Sequence, residues 1–223
     1  MPAEGASPRH RSLNLGADLS TGVRGRPYRK GKRAASELQT RQRIIEATVA
    51  LHEGVGPART TVKAIADRAG VQRATVYKHF PDLQALFQAC TTHYYERHPM
   101  PDPNEWSVIR PPAERLLAAL ADLYAWYGET EQMLSTGIRD MEIIPAAGRE
   151  AFLRYFDDVR KALMAGRRER GRARARVSGA IGHAISFSTW HSLVREQGVS
   201  NDDSVALMAA MVDAASRRSL DAP

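Results

Sequence analysis

The sequence predicts an all-α protein with two helical domains behind a basic N-terminal arm. No stretch sustains the apolar–polar alternation that a half-buried strand requires, whereas apolar residues recur repeatedly at the three- and four-residue spacing of helices. Three prolines between residues 98 and 103 interrupt the helical pattern, because proline cannot continue a helix. We therefore divide the chain into residues 1–36, 37–98 and 104–218.

The arm, residues 1–36, carries most of the excess charge. The chain has a net charge of +7, and the arm alone holds eight Lys and Arg against two acidic residues. It lacks apolar periodicity and is rich in Gly, Pro, Ser and Arg, so we expect it to be disordered. It either contacts DNA, by following phosphates or entering a minor groove, or serves as a solvated tail. The cations that the first interpretation would use are Arg24, Arg26, Arg29, Lys30, Lys32 and Arg33.

The first helix of the N-terminal domain is predicted to begin at Ser36. With Gln39, Ser36 matches a capping box, in which side chains and backbone amides satisfy one another. Gly54 is expected to end this helix. The last helix of the domain is predicted to start after Asp82, a good N-cap, and to turn Leu83 toward the core.

Two short helices between them form the most informative part of the chain. In the first, Val62, Ile65 and Ala69 share one apolar face, and Thr61 is placed to cap it. Gly70 follows where a helix end needs positive φ. The second helix turns apolar side chains inward and leaves a polar, basic face outward. This arrangement predicts a helix-turn-helix, whose second helix enters the DNA major groove.

Residues 61–71 and 74–80 resemble the DNA-binding domain of the tetracycline-repressor (TetR) family. The resemblance implies a homodimeric transcription factor, usually a repressor, with a C-terminal domain that binds a small effector and dimerises through its last two helices. The sequence departs from the family pattern at Gln72, where serine commonly caps the recognition helix, and at Leu83, where a lysine near phosphate is usual.

Several residues in and around the second helix are expected to contact DNA. Arg73 has the geometry to pair with guanine, and Gln72 with adenine. The resemblance gives Tyr77 and Lys78 phosphate-binding roles. For each residue, a solvated side chain is the alternative. The full set is Thr48, Thr60, Thr61, Gln72, Arg73, Ala74, Thr75, Tyr77, Lys78 and His79. One short helix reads few base pairs, so we expect a dimer on a palindromic double-stranded operator.

The C-terminal domain is predicted to contain helices at residues 112–128, 130–142, 147–165, 175–196 and 202–217. The last two carry single faces of small or apolar side chains, which favour a four-helix dimer bundle or, alternatively, intramolecular core packing. The residues of these faces are Ala180, Ala184, Ser188, Ser192, Val205, Met208, Val212 and Ala215.

Aromatic side chains are concentrated in the same domain, and they could enclose a pocket for a small, largely apolar effector. Ordinary core packing is the alternative for each of them. The candidate pocket residues are Tyr94, Trp106, Tyr124, Tyr127, Phe152, Phe156, His183, Phe187 and Trp190.

Composition and motifs exclude several other classes of protein. Cys90 is the only cysteine, so no disulfide framework is possible. We expect a cytoplasmic protein without a membrane partner, because no signal peptide is visible and the longest apolar stretch is too short to span a bilayer. Motifs of zinc proteases, Walker loops, dinucleotide sites and serine hydrolases are missing, so we expect no catalytic site, metal or cofactor. The sequence thus favours a sequence-specific DNA-binding regulator, and the family resemblance implies a repressor released by an effector; the alternative is a non-specific nucleic-acid-binding protein that uses the arm.

Overall fold

A computed structural model describes residues 26–217, which contain helices and no strand, so the predicted all-α class is confirmed. The helices are α1 (Arg26–Gly54), α2 (Val62–Ala69), α3 (Arg73–His79), α4 (Leu83–Arg97), α5 (Pro103–Ser107), α6 (Pro112–Arg139), α7 (Ala146–Met164), α8 (Gly171–Ala184), α9 (Phe187–His191) and α10 (Asn201–Ser216). A 3₁₀ turn spans Pro57–Arg59, and a π turn, Ser192–Glu196, follows α9. None of the described helices is long and apolar enough to cross a membrane.

The chain divides between Gln39 and Thr40. Before this point the structure describes only the first half of α1, residues 26–39. After it the structure describes one compact unit, residues 40–217. The predicted helix start at Ser36 is wrong, because α1 begins at Arg26. Residues 30–37 contain no proline, and an Arg33–Glu37 pair at 3.6 Å adds i,i+4 support.

The predicted arm therefore contains a helical segment from residue 26 onward. Lys32 and Arg33 are exposed on it. Arg24 lies outside the described residues, as do the side chains of Arg26, Arg29 and Lys30.

The N-terminal core is small and joins four helices. Its buried members are Ile44, Ile45, Ala47, Ile65, Ala66, Ala69, Val76, Phe80, Leu86 and Cys90. Asp82 caps α4 as predicted, because its carboxylate accepts a hydrogen bond from the Ala85 amide at 2.7 Å. Leu83, however, is 60% exposed, so its predicted core position is wrong. It occupies the first turn of α4, and the buried face of that helix begins with Leu86.

The core of the C-terminal domain is built around α6, a single helix of 28 residues. The predicted break between residues 128 and 130 is wrong. Gly128 and Glu129 do not stop a helix, and the Thr130 hydroxyl donates to the Trp126 carbonyl at 2.6 Å inside the same helix.

The helix predicted over residues 175–196 is instead broken after Ala184. Two buried tyrosines of α6 explain the break. The Tyr124 hydroxyl donates to the Ala184 carbonyl at 2.9 Å, and the Tyr127 hydroxyl donates to the Ile185 carbonyl. These bonds satisfy carbonyl groups at the end of α8, where a helix leaves its last acceptors unpaired.

Candidate nucleic-acid interface and apolar cavity

The turn between α2 and α3 has the predicted glycine geometry. Gly70 lies in the left-handed region, with φ 65° and ψ 41°. Its amide donates to the Asp67 carbonyl at 3.3 Å, and the Val71 amide donates to the Ala66 carbonyl at 3.0 Å. This pair of bonds is a Schellman motif, which ends α2 and fixes the direction in which α3 begins.

The helix α3 is anchored by its apolar side and exposed on its polar side. Val76 and Phe80 are each 2% exposed, whereas Tyr77 is 48% exposed. Gln72 occupies the N-cap position, but its side chain makes no capping hydrogen bond. Of the predicted DNA-contacting residues here, Gln72, Arg73, Ala74, Tyr77 and Lys78 are exposed, and Thr75 and His79 are half-buried.

The three predicted threonines have different surroundings. Thr48 is only 1% exposed, and its hydroxyl donates to the Ile44 carbonyl at 2.8 Å, so its prediction as a phosphate contact is wrong. Thr60 is half-buried and donates to the Gly56 carbonyl at 2.8 Å. Thr61 is exposed and caps α2 as predicted, accepting a hydrogen bond from a backbone amide at 3.1 Å.

The electrostatics around α3 favour an anionic partner. Neither α2 nor α3 has an acidic residue in its first turn, so the positive end of each helix dipole is not neutralised by its own side chains. Arg41 of α1, which sequence reasoning missed, is exposed and stacks its guanidinium on the Phe80 ring at 4.7 Å. That contact adds a cation beside the end of α3.

A cavity of about 250 Å³ lies among α4, α6 and α7, next to the end of α1. Tyr94 and Phe152 line it, as the sequence predicted for an effector pocket. Sequence reasoning missed the rest of the wall, including three methionines, of which one lies on α6 and two lie in loops. Its lining is His52, Pro57, Phe87, Cys90, Thr91, Tyr94, Tyr95, Met100, Met133, Leu134, Gly137, Ile138, Met141, Ile144, Gly148, Arg149, Ala151 and Phe152.

The other seven predicted pocket residues do not line this cavity. Tyr124, Tyr127 and Trp190 are fully buried in the core. Trp106 is 2% exposed, and its indole N–H donates to Asp122 at 2.7 Å. Aromatic residues at helical spacing were thus core positions. His183 is exposed, and Phe156 and Phe187 line a separate surface groove of about 370 Å³, which also includes Phe152.

Two polar groups of the cavity wall, His52 and Cys90, are uncharged at neutral pH. Burial lowers the pKa of His52 to about 4, although the nearby Asp140 carboxylate acts in the opposite direction. Burial also raises the pKa of Cys90 to about 12. The Cys90 sulfur lies 3.6 Å from His52 Nδ1, and its thiol donates to the Phe87 carbonyl at 3.1 Å. The pair is a neutral contact and not a thiolate–imidazolium pair.

The C-terminal end of α6 is bonded to the segment that leads from α1 into α2. Asp140 Oδ2 accepts a hydrogen bond from the Ala58 amide at 3.0 Å, and Arg139 Nη2 donates to the Val55 carbonyl at 2.9 Å. The Arg139 hydrogen bond also lowers the pKa of Asp140. Gly56 has φ 89°, and a Cβ there would collide with both side chains. We call these five residues the α6 latch, which sequence reasoning missed.

The predicted dimer face is partly wrong. Ala184, Val205, Met208 and Val212 are buried inside the chain, because α10 packs against α6 and α8 and uses that face. Ser188 is exposed, and Ala180, Ser192 and Ala215 are half-buried. Other small or apolar side chains are exposed on the same two helices: Ala175 and Gly179 on α8, and Ala206, Leu207 and Ala210 on α10.

In sequence, the matches to known proteins cover only the N-terminal part of the chain. The sequence profile described as "Bacterial regulatory proteins, tetR family" matches residues 44–90. The HTH-type transcriptional regulator TtgR of Pseudomonas putida is 41% identical over 70 residues, which cover 31% of this chain and 32% of that protein. A probable acrEF/envCD operon repressor of Escherichia coli is 42% identical over 53 residues, 24% of each chain. This chain therefore matches only about a third or less of these curated relatives.

The fold extends the likeness to the C-terminal half. A proposed fatty acid metabolism regulator of Clostridium perfringens superposes with a TM-score of 0.54 at 16% identity, covering 77% of this chain and 97% of that one. A TetR-like transcriptional regulator of Rhodococcus sp. RHA1 gives 0.53 at 16% identity, covering 82% and 97%. At this identity the likeness concerns the fold alone. In sequence, residues 44–90 match the tetR family of bacterial regulatory proteins, so the chain is similar to that family through its helix-turn-helix segment.

Proposed function

We propose that this protein is a sequence-specific, DNA-binding transcriptional repressor, acting in the cytoplasm and released from its operator by a small molecule. The observation that carries the proposal is the way in which α3 is anchored and exposed. Its apolar side is fixed in the core by Val76 and Phe80, the Gly70 turn sets its direction, and its polar, basic side is exposed. A helix held in this way presents side chains to a major groove without refolding.

The two ends of α3 have different tasks in this proposal. Gln72 and Arg73 stand at its N-terminus, from which recognition helices reach base edges. Arg73 paired with a guanine contributes about 1–3 kcal/mol of discrimination against other bases. Tyr77 and Lys78, one turn later, contact phosphates and set the register without reading sequence.

The operator is read by two copies of the chain. A single helix of seven residues covers few base pairs, so two copies of α3 must enter successive major grooves about 34–36 Å apart. The exposed small side chains of α8 and α10 permit close helix approach and could form the dimer contact. Leu207, 49% exposed on α10, is its largest apolar member.

A substitution within this face tests the dimer. Leu207→Glu places a charge where apolar contact is proposed, and should give monomers in sedimentation and weaken operator binding. Val108→Glu is the control, because Val108 is 77% exposed at the end of α5 and belongs to neither α8 nor α10. A Leu207→Glu protein that stays dimeric would exclude Leu207 from the interface.

The effector acts through α6. This helix supplies Leu134, Gly137 and Ile138 to the cavity wall and then ends in the α6 latch, which is bonded to the segment entering α2. A ligand that prefers one position of the α6 end would therefore bias the position of the helix-turn-helix. Only such differential affinity shifts the balance between the DNA-bound and released states.

The experiment for the DNA-binding function is selection of bound duplexes from a random pool, followed by footprinting on the selected site. The proposal expects an inverted repeat with half-site centres about 10–10.5 base pairs apart. It also expects protection of two adjacent major grooves. A pool that stays random after repeated rounds would contradict the proposal.

A further inference from the structure

The wall of the cavity among α4, α6 and α7 is largely apolar, and its described residues include one cation and no anion. Within residues 26–217, no Asp or Glu lines it. His52, the other basic group of the wall, is neutral at pH 7 because burial lowers its pKa to about 4. Most of the remaining wall is aliphatic, aromatic or methionine, which suits an apolar molecule of adaptable shape.

Arg149 is the cation, and it has no partner among the described residues. It is half-buried, and no hydrogen bond or ion pair of its side chain is found between residues 26 and 217. Other buried arginines of the chain are satisfied. The Arg115 guanidinium donates to four backbone carbonyls, and Arg167 bonds to the Leu163 carbonyl and pairs with Glu169. A half-buried guanidinium in an apolar wall gains from an anionic partner.

The position of Arg149 in its helix adds a second, independent reason. It lies in the first turn of α7, where the helix dipole disfavours a cation and favours an anion. This turn contains no acidic residue, and Pro145 provides no side-chain cap. Gly148 brings the turn close to the Phe87 ring, since a Cβ at position 148 would lie 3.2 Å from it. The charged start of α7 is thus held at the cavity wall.

We infer that the cavity binds a small apolar monoanion, of the class of medium-length alkyl or aryl carboxylates, with its carboxylate at Arg149 and its apolar part among the methionines. The inference rests on the proposed function only in taking this cavity as the effector site. It concerns the ligand's charge, and it can be tested on the free protein without DNA.

The test uses three eight-carbon probes that differ in headgroup: octanoate, octan-1-ol and octylamine. Their affinities for the full-length protein are measured by calorimetry at neutral pH. Octanoate should bind about tenfold or more tightly than either other probe, as expected for a charge-assisted bond. Arg149→Gln should remove this preference and leave octan-1-ol binding within about twofold. Arg154→Gln is the matched control, because Arg154 is exposed on the same helix, pairs with Glu150 and does not line the cavity.

A cavity-filling variant locates the bound probe. Gly137 lines the cavity, and a Cβ there meets no atom within 4 Å, so Gly137→Leu should fold and weaken every probe that binds in the cavity. Equal affinity for octanoate and octan-1-ol, an unchanged preference in Arg149→Gln, or no binding by any probe would overturn the inference. Octanoate could bind in an Arg149-dependent way and still leave the affinity for the operator unchanged. That result would support the proposed ligand class and contradict release of the protein from DNA by octanoate.

Discussion

Replacing Gly56 by alanine tests whether the α6 latch holds the domains in the geometry described above. Gly56 has φ 89° and ψ 162°, a region that is essentially reserved for glycine and costs other residues about 1–3 kcal/mol. A Cβ there also collides with Arg139 and Asp140. Moving Asp140 would remove its hydrogen bond to the Ala58 amide, a further loss of about 1 kcal/mol. We expect a total destabilisation of about 2–4 kcal/mol.

The measurement is urea unfolding followed by circular dichroism, at one protein concentration because dimerisation would otherwise change the apparent stability. Gly54→Ala is the matched control two residues away. Gly54 is the last residue of α1, and a Cβ there meets no atom within 4 Å. That change should leave stability unchanged or raise it by up to about 1 kcal/mol. If the free energy of unfolding of Gly56→Ala lies within about 0.5 kcal/mol of the wild-type value, the latch geometry is refuted.

Three further predictions concern protonation, base reading and the arm. Because burial lowers the pKa of His52 to about 4, the folded chain binds fewer protons than the unfolded chain between pH 6.5 and 4. Stability should therefore be full above pH 6.5 and fall as pH drops toward 4, by about 3 kcal/mol, whereas His52→Gln should show a flatter pH profile of urea unfolding. Arg73→Ala should weaken binding to the selected operator by about 1–3 kcal/mol and binding to random duplex by less; equal loss on both would make Arg73 a phosphate contact. Deleting residues 1–33 should reduce the salt dependence of DNA affinity if the arm touches phosphates, and an unchanged slope would leave it a solvated tail.

The sequence predicted the helix-turn-helix well because that motif is encoded by local interactions. The Gly70 turn, the Thr61 cap and the Asp82 cap each depend on contacts within a few residues, and all three are present. The prediction that Thr48 contacts a phosphate was wrong, because the residue type alone does not reveal whether the hydroxyl faces solvent or bonds back to its own helix.

The cavity and the dimer face were harder to predict because they depend on distant contacts. The α6 latch joins residues about 80 positions apart, and no periodicity signals it. Small residues at helical spacing fit a dimer seam and an internal core equally well, and Ala184 and Val212 proved to be core. The tyrosines that bond to the end of α8 belong to α6, so the sequence of residues 175–196 does not itself predict the break.

The central claim is that α3 reads a DNA sequence, and its most direct test is a comparison of affinities. Binding to the selected duplex and to a scrambled duplex of equal length should be measured across a salt series. The account predicts that the selected duplex binds at least about 10³-fold more tightly at physiological salt. Equal affinities that fall with the same salt slope would contradict it, and would leave only non-specific attraction between a basic protein and DNA.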